Sequence, residues 1–98
     1  IVIINNNGGG IFSSLPVADE ENAYFPDFWT SPQNIDIEKI ATSYDINYNT
    51  VKSNNELSYS LQESFSVAGL YIINALVDIN SSLESNKKLT KKINASLD

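Results

Sequence analysis

The chain has 98 residues and a formal net charge of −6, and all six of its cations are lysines. It contains no cysteine and no histidine, which excludes disulfides and thiolate metal sites and removes the commonest general base. An acidic surface without arginine argues against nucleic-acid binding, and no apolar run approaches the roughly 20 residues needed to span a membrane. A chain of this length forms at most one small domain.

The first predicted strand covers residues 1–4, four β-branched apolar residues without polar alternation. Such a run predicts a strand buried on both faces, as in parallel α/β sheets. Three asparagines and three glycines follow it, before a compact apolar group and a predicted helix start. Loops in this position bind ligands in open α/β sheets, and helix N-termini bind phosphates. A tight turn that uses Asn and Gly only for their backbone conformation is the alternative, and the residues leave both readings open.

The oxygen atoms of this loop suit a metal ion. Asparagine side-chain oxygens and glycine carbonyls are hard neutral ligands, and Mg²⁺ that also coordinates a phosphate prefers such oxygens. The loop is not a Walker phosphate-binding loop, because no Gly-Lys-Ser/Thr follows, and it lacks the Gly-x-Gly-x-x-Gly dinucleotide motif.

Residues 17–32 mix acids, aromatics and prolines without a helical or strand period. Residues 19–21 are compatible with the start of a short helix, and residues 24–29 place aromatic side chains beside a proline. We favour a loop that covers the core through aromatic anchors. The alternative is a mobile lid or a subunit contact, because aromatic clusters are enriched in interfaces.

Two amphipathic helices are predicted in the middle of the chain. Asp36 is the expected N-cap of the first, whose apolar face, including Ala41 and Tyr44, follows the i, i+3, i+4, i+7 spacing. The second opens with a capping box, in which Glu56 follows Ser53 at the third position. The residues expected only to pack in the core are Ile37, Ile40, Leu57, Leu61 and Phe65.

Further strands are predicted at residues 48–51 and 70–77, the second of them apolar except for Asn74. A last helix is predicted from Ser82 to about Leu97. Strands that alternate with helices in this order predict an α/β fold, a three-layer Rossmann-like parallel sheet with crossover helices. The last helix carries four lysines, which form either a basic patch or, as we favour, a solvated face: Lys87, Lys88, Lys91 and Lys92.

The segment from Asn5 to Phe12 resembles the second half of the thiamine-diphosphate binding motif, which closes with Asn-Asn at a strand end. The first half of that motif is a Gly-Asp pair a couple of dozen residues upstream. With Leu15-Pro16 after it, the segment is most similar to the 2-succinyl-5-enolpyruvyl-6-hydroxy-3-cyclohexene-1-carboxylate synthases, the MenD-type family of menaquinone and phylloquinone biosynthesis. Acetolactate synthases and pyruvate decarboxylases usually continue differently. The resemblance implies that residues 1–98 are the C-terminal portion of a thiamine-diphosphate-binding domain, with the upstream domains absent from the chain.

The resemblance also implies a reaction, cofactors and site residues. Enzymes of the family decarboxylate 2-oxoglutarate and add the succinyl-semialdehyde carbanion to isochorismate, with thiamine diphosphate and Mg²⁺ (or Mn²⁺) as cofactors. Asn6 is expected to bind the metal through its side-chain oxygen, and Gly8 through its backbone carbonyl. Asn5 and Asn7 are assigned to loop structure. The remaining cofactor-binding residues are two that shape the turn and three that line an apolar pocket: Gly9, Gly10, Ile11, Phe12 and Leu15.

Parts of the family's machinery have no counterpart in this chain. The glutamate that activates the cofactor lies on another domain across a subunit interface, and the carboxylate-binding arginines lie upstream. We therefore expect the chain alone to be inert and its parent protein to be a homo-oligomer, a dimer or tetramer, that acts on small molecules without nucleic acid or a membrane span. The chain also departs from the family, with Asn74 at a usually acidic position and Ile79 at a common arginine position.

Two other points follow from the sequence. The abundance of Asn, Ile and Lys suits an AT-biased coding sequence such as a plastid genome. The expected location is the cytoplasm or the plastid stroma. Two other functions remain open: another thiamine-diphosphate enzyme, such as an acetolactate synthase or 2-oxoacid decarboxylase, and a non-catalytic α/β interaction module.

Overall fold

A computed structural model of the chain describes residues 1–19 and 31–97. Three strands and three α-helices alternate in these ranges: β1 (Val2–Asn5), α1 (Ile37–Ser43), β2 (Asn47–Val51), α2 (Asn54–Ser66), β3 (Tyr71–Leu76) and α3 (Ile79–Leu97). The described residues form two compact units: residues 1–6 and 34–77 belong to the first, and the described parts of 7–33 and 78–98 belong to the second. The predicted helix start at 19–21 falls largely outside the described residues, and the aromatic anchors at 24–29 fall entirely outside them.

The first unit is built on a three-stranded parallel sheet in the order β1-β3-β2. Across the sheet, Ile3 of β1 pairs with Asn74 of β3, and Asn74 pairs with Thr50 of β2. Along the chain, β2 is added two strand positions away from β1, and β3 is then inserted between them. Because crossovers between parallel strands are right-handed, the two connections place α1 and α2 on opposite faces of the sheet. This arrangement confirms the predicted parallel α/β class.

The core of this unit lies between the sheet and α2. Val51, Ile73 and Ala75 are buried there, and Leu57 and Leu61 of α2 pack against them together with Tyr71. The register explains the grouping, because Val51 pairs with Ala75 and side chains alternate along β3, so that Ile73 and Ala75 share a face. The prediction that Leu57 and Leu61 pack in the core is therefore confirmed.

Both predicted helix N-termini are present. The Lys39 N–H donates to the Asp36 side chain at 3.0 Å, which is the N-cap bond of α1. In α2, the Glu56 N–H donates to the Ser53 hydroxyl at 3.2 Å. The return bond differs from a standard capping box, because the Glu56 carboxylate accepts the N–H of Lys52, at 2.6 Å, rather than that of Ser53.

Several residues predicted to be core are exposed. The Phe65 side chain, in the last turn of α2, is 86% exposed, and Ile40 and Tyr44 are exposed although their neighbour Ala41 is fully buried. Each helix has the predicted apolar spacing, but within the unit only the side chains that lie over the sheet are packed. Ile37 is half-buried.

The first strand corrects another prediction. Val2 and Ile4 are exposed, so β1 is not buried on both faces within this unit. The reason is the helix packing, since α1 packs mainly on β2 and α2 packs mainly on β2 and β3, whereas β1 lies at the edge of the sheet. An apolar run predicts that a strand is buried, but the elements packed against the strand decide whether it is.

Two boundaries in the second unit also differ from the prediction. A 3-10 turn, Ile11–Ser14, follows the glycines where a helix start was predicted, and a second one covers Pro16–Asp19. The last helix, α3, begins at Ile79 rather than Ser82. The earlier start comes from Asp78, whose carboxylate accepts the Ser81 N–H at 2.9 Å, while the Ser82 N–H donates to the Asp78 carbonyl.

Candidate functional site

The candidate site begins at the carboxyl end of β1. The Val77 N–H donates to the Asn5 carbonyl at 2.9 Å, so the end of β1 is held beside the residue that follows β3. Asn5 is half-buried, whereas Asn6, directly after the strand, is exposed. Ligands of parallel α/β sheets bind outside the carboxyl ends of the strands, and Asn6 lies at that edge.

The loop after Asn6 has an unusual backbone. Asn7, Gly8 and Gly9 all have positive φ, at 65°, 72° and 65°. Residues 31–33 run antiparallel to this loop and support it, because the Gln33 N–H donates to the Asn7 carbonyl at 2.8 Å and the Ser31 N–H donates to the Gly9 carbonyl at 3.2 Å. Positive φ suits glycine and asparagine better than other residues, which explains this composition locally.

The space beside the glycines is filled by the protein itself. A Cβ on Gly8 would collide with the Gln33 side chain, one on Gly9 with the Ser31 backbone, and one on Gly10 with the Ile79 side chain at the start of α3. The sequence predicted that glycine allows something to approach the backbone closely, and within the second unit these residues do so. The glycine requirement is thus explained by packing and φ, and by itself it does not indicate a ligand.

The donor atoms available for a metal are neutral oxygens. Within residues 1–19 and 31–97 there is no group of three or more His, Cys, Asp or Glu residues that would hold a metal ion. The Asn6 side-chain oxygen and the Gly8 carbonyl oxygen are hard ligands that fit Mg²⁺ when phosphate oxygens supply the negative charge. The carbonyls of Asn7, Gly9 and Gly10 already accept backbone N–H groups from Gln33, Ser31 and Ser13, so a metal bound at these carbonyls would compete with those bonds.

The predicted apolar pocket residues lie on the 3-10 segment. Ile11 is 80% exposed at its start, Leu15 is 45% exposed just after it, and Phe12 lies within it. Their role toward a cofactor stays a prediction.

Sequence reasoning missed a buried polar cluster in the first unit. The Asn74 amide of β3 donates to the Tyr48 hydroxyl at 2.9 Å, and the Thr50 hydroxyl donates to the same oxygen at 2.9 Å. Asn74 is only 6% exposed, and its side-chain oxygen is buried without a hydrogen-bond partner. The available signal was the single polar residue in an otherwise apolar strand, at the position where the family usually has an acid.

A shallow cavity of about 440 Å³ lies at the start of α2. Its lining residues are Asn49, Thr50, Asn55, Glu56 and Tyr59. The Glu56 carboxylate already accepts the Lys52 N–H, and the Asn49 amide donates to the buried Ser60 hydroxyl. These hydrogen bonds have a structural role, because they hold the start of α2 and its buried face against β2 and the residue that follows it.

The last helix has no membrane-spanning character, since no helix in the described ranges is both long and apolar enough to cross a bilayer. Its four lysines, at 87, 88, 91 and 92, are all exposed. The solvated face favoured from the sequence is consistent with this exposure.

The described fold is that of a Rossmann-like parallel α/β domain with an asparagine- and glycine-rich loop after its first strand. No protein-family model matches the chain. Among curated proteins, it is 44% identical over 78 residues to the 2-succinyl-5-enolpyruvyl-6-hydroxy-3-cyclohexene-1-carboxylate synthase of Oceanobacillus iheyensis, a match that covers 80% of the chain. It is 39% identical over 97 residues to the synthase of the same name from Prosthecochloris aestuarii, and this match covers 99% of the chain.

These matches confirm the resemblance: the chain corresponds to one segment of the MenD-type synthase family. Its sheet and helices are accordingly part of the thiamine-diphosphate-binding fold that the family implies. The matched segment is short, since it covers 13% of the first relative and 16% of the second.

Proposed function

We propose that this chain is the segment of a MenD-type synthase that holds the diphosphate end of thiamine diphosphate together with Mg²⁺ or Mn²⁺. The observation that carries the proposal is the 39% identity to a synthase of that name along 97 residues, which include the asparagine and glycine loop. In the whole protein the substrates would be 2-oxoglutarate and isochorismate, in a homo-oligomer of the menaquinone or phylloquinone pathway. The location expected for it, the cytoplasm or plastid stroma, stays a prediction.

Asn6 and Gly8 are the proposed metal ligands. Asn6 follows β1 at the carboxyl edge of the sheet, and the positive φ of Gly8 belongs to a loop that the Gln33 and Ser31 N–H groups brace. A braced backbone carbonyl is a good metal ligand, because little ordering remains to be done when the metal binds. Two neutral oxygens leave the ion's charge uncompensated, so we expect metal binding to depend on the cofactor's phosphates.

The other loop residues would position and shield the cofactor. Gly9 and Gly10 keep the turn tight, and Ile11, Phe12 and Leu15 would present apolar surface to the organic part of the cofactor and substrate. When bound, thiamine diphosphate supplies the decarboxylation and carbon–carbon bond chemistry of the reaction, and the protein supplies anchoring and orientation. We expect this chain alone to show no turnover.

The proposal is tested by two variants in the full-length protein. Asn6→Leu keeps the side-chain volume but removes the oxygen ligand, and Asn6→Asp keeps an oxygen. We expect the Leu variant to lose at least about 10-fold in Mg²⁺-dependent affinity for thiamine diphosphate, measured by calorimetry, and the Asp variant to keep most of it. Equal cofactor affinity in the wild type and the Leu variant would contradict the proposal.

A purely structural turn is the second candidate, and one observation favours it. The spaces beside Gly8, Gly9 and Gly10 are filled by Gln33, Ser31 and Ile79 rather than left open. On this reading, Asn6→Leu alters neither metal nor cofactor binding. The same calorimetric experiment therefore separates the two functions.

A further inference from the structure

Asn7-Gly8 is the one Asn-Gly pair in the sequence. Asparagine is a thermolabile residue. Its side-chain carbonyl carbon is open to attack by the backbone nitrogen of the next residue, and this attack is fastest when that residue is glycine, which has no Cβ to obstruct the approach. Asn7 is exposed and lies outside the strands and helices.

The loop geometry nevertheless restrains this reaction. The peptide plane between Asn7 and Gly8 carries both the Asn7 carbonyl oxygen and the Gly8 nitrogen. The Gln33 N–H donates to that carbonyl at 2.8 Å. Rotation about ψ of Asn7 moves the Gly8 nitrogen relative to the Asn7 side chain, and it also moves the carbonyl that accepts from Gln33. The Gln33 hydrogen bond therefore opposes this rotation.

We propose that Asn7 is a spontaneous deamidation site and that the Gln33-to-Asn7 hydrogen bond sets its rate. The Gly8 nitrogen, after losing its proton to hydroxide, forms a bond to Cγ of Asn7. The amide nitrogen then takes up a proton and leaves as ammonia, which closes a five-membered succinimide. Water opens the ring at either carbonyl and leaves aspartate or isoaspartate. No oxidant, reductant or second substrate is consumed.

The product changes the loop in one of two ways. Aspartate adds a negative charge, and isoaspartate adds a backbone carbon between Asn6 and Gly8. If the proposed function holds, both changes fall between the two metal ligands, so deamidation would alter cofactor affinity. Deamidation can be tested independently of that function, because peptide mass alone detects it.

The chain offers an internal control for the test. Asn34 is exposed and has positive φ, at 48°, as Asn7 does, but the β-branched Ile35 follows it. The protein is incubated at 37 °C in mildly alkaline buffer and then digested, and peptide masses locate each replacement of NH₂ by OH. We expect Asn7 to convert many-fold faster than Asn34, to a mixture of aspartate and isoaspartate, with a rate that rises with pH. Equal conversion at the two sites, or none at Asn7, would overturn the proposal.

A matched pair of variants tests the hydrogen bond. Gln33→Ala and Gln33→Pro both remove the side chain, whose amide donates to the Ser31 carbonyl, but only the proline variant removes the backbone N–H. We expect Asn7 to convert several-fold faster in the proline variant than in the alanine variant. A second measurement, free of variants, compares conversion in native buffer and in concentrated urea at one pH. Faster conversion in urea supports the restraint, and equal rates in both comparisons would refute it.

Discussion

The Asn74 amide donates a hydrogen bond to the Tyr48 hydroxyl at 2.9 Å, joining the central strand of the sheet to its neighbour β2. The bond is partly buried, and Asn74 has no partner for its side-chain oxygen. An unpaired polar atom in this position is unfavourable, so the remaining bonds of the cluster matter for the stability of the first unit.

Tyr48→Phe removes the oxygen that accepts from both Asn74 and Thr50 and leaves the buried Asn74 amide unpaired. We expect this change to lower the free energy of unfolding by about 1–3 kcal/mol, measured by urea denaturation. Thr50→Val, which removes one half-buried hydroxyl of the same cluster, is the control and should cost about 1 kcal/mol or less. A Tyr48→Phe variant as stable as the wild type would show that the cluster does not hold the two strands together.

The Asn49 amide donates to the Ser60 hydroxyl, and Ser60 is fully buried where α2 packs on the sheet. Ser60→Ala leaves Asn49 without that partner, and we expect it to destabilise the protein by about 1 kcal/mol. Ser58→Ala lies on the exposed part of the same helix and should change stability by no more than about 0.5 kcal/mol. Equal unfolding midpoints for the two variants would contradict the role given to the Asn49 bond.

Alanine substitutions at two glycines with positive φ distinguish the cost of backbone strain from the cost of a steric collision. A Cβ on Gly69, at φ 93°, would meet nothing nearby, whereas one on Gly9, at φ 65°, would meet the Ser31 backbone. We expect Gly69→Ala to cost about 1–2 kcal/mol for the left-handed conformation alone. Gly9→Ala carries the same strain and an added collision, so it should cost more, and urea unfolding of the two variants compares them directly. The prediction fails if Gly69→Ala is the more destabilising.

The stability of helix α3 should depend on pH through the ionisation of Asp78. The pKa of Asp78 is lowered, first by the hydrogen bond from the Ser81 N–H and next by that from the Ser81 hydroxyl. Because the folded-state pKa is the lower one, this cap stabilises α3 above the unfolded-state value of 3.8 and is lost as pH falls through the folded-state pKa. Circular dichroism should therefore show helix loss beginning below about pH 4.

Asp78→Asn is the matched control, because asparagine caps helices but does not titrate. In this variant the part of the acid transition that belongs to α3 should disappear, while helix content at neutral pH stays close to that of the wild type. An unchanged acid transition would assign the pH dependence to other carboxylates.

Local sequence determined much of this protein. The three strands and the N-caps Asp36 and Ser53 follow from short-range patterns, because capping bonds and strand periods involve residues close together in the chain. The alternation of strands and helices also predicts the parallel pairing of the sheet. The positive φ of Gly8 and Gly9 is likewise compatible with local composition alone. The family resemblance of the loop was also readable from a short run of residues, and the relatives confirm it.

Tertiary structure decided which of these patterns are buried. Phe65 and Leu61 share an apolar period, yet only Leu61 reaches the sheet, because burial depends on what lies opposite a side chain rather than on its spacing. The partners of the loop glycines, Ser31 and Gln33, lie more than twenty residues away along the chain. No local pattern predicts such distant contacts, since they arise only when separate segments are brought together by folding.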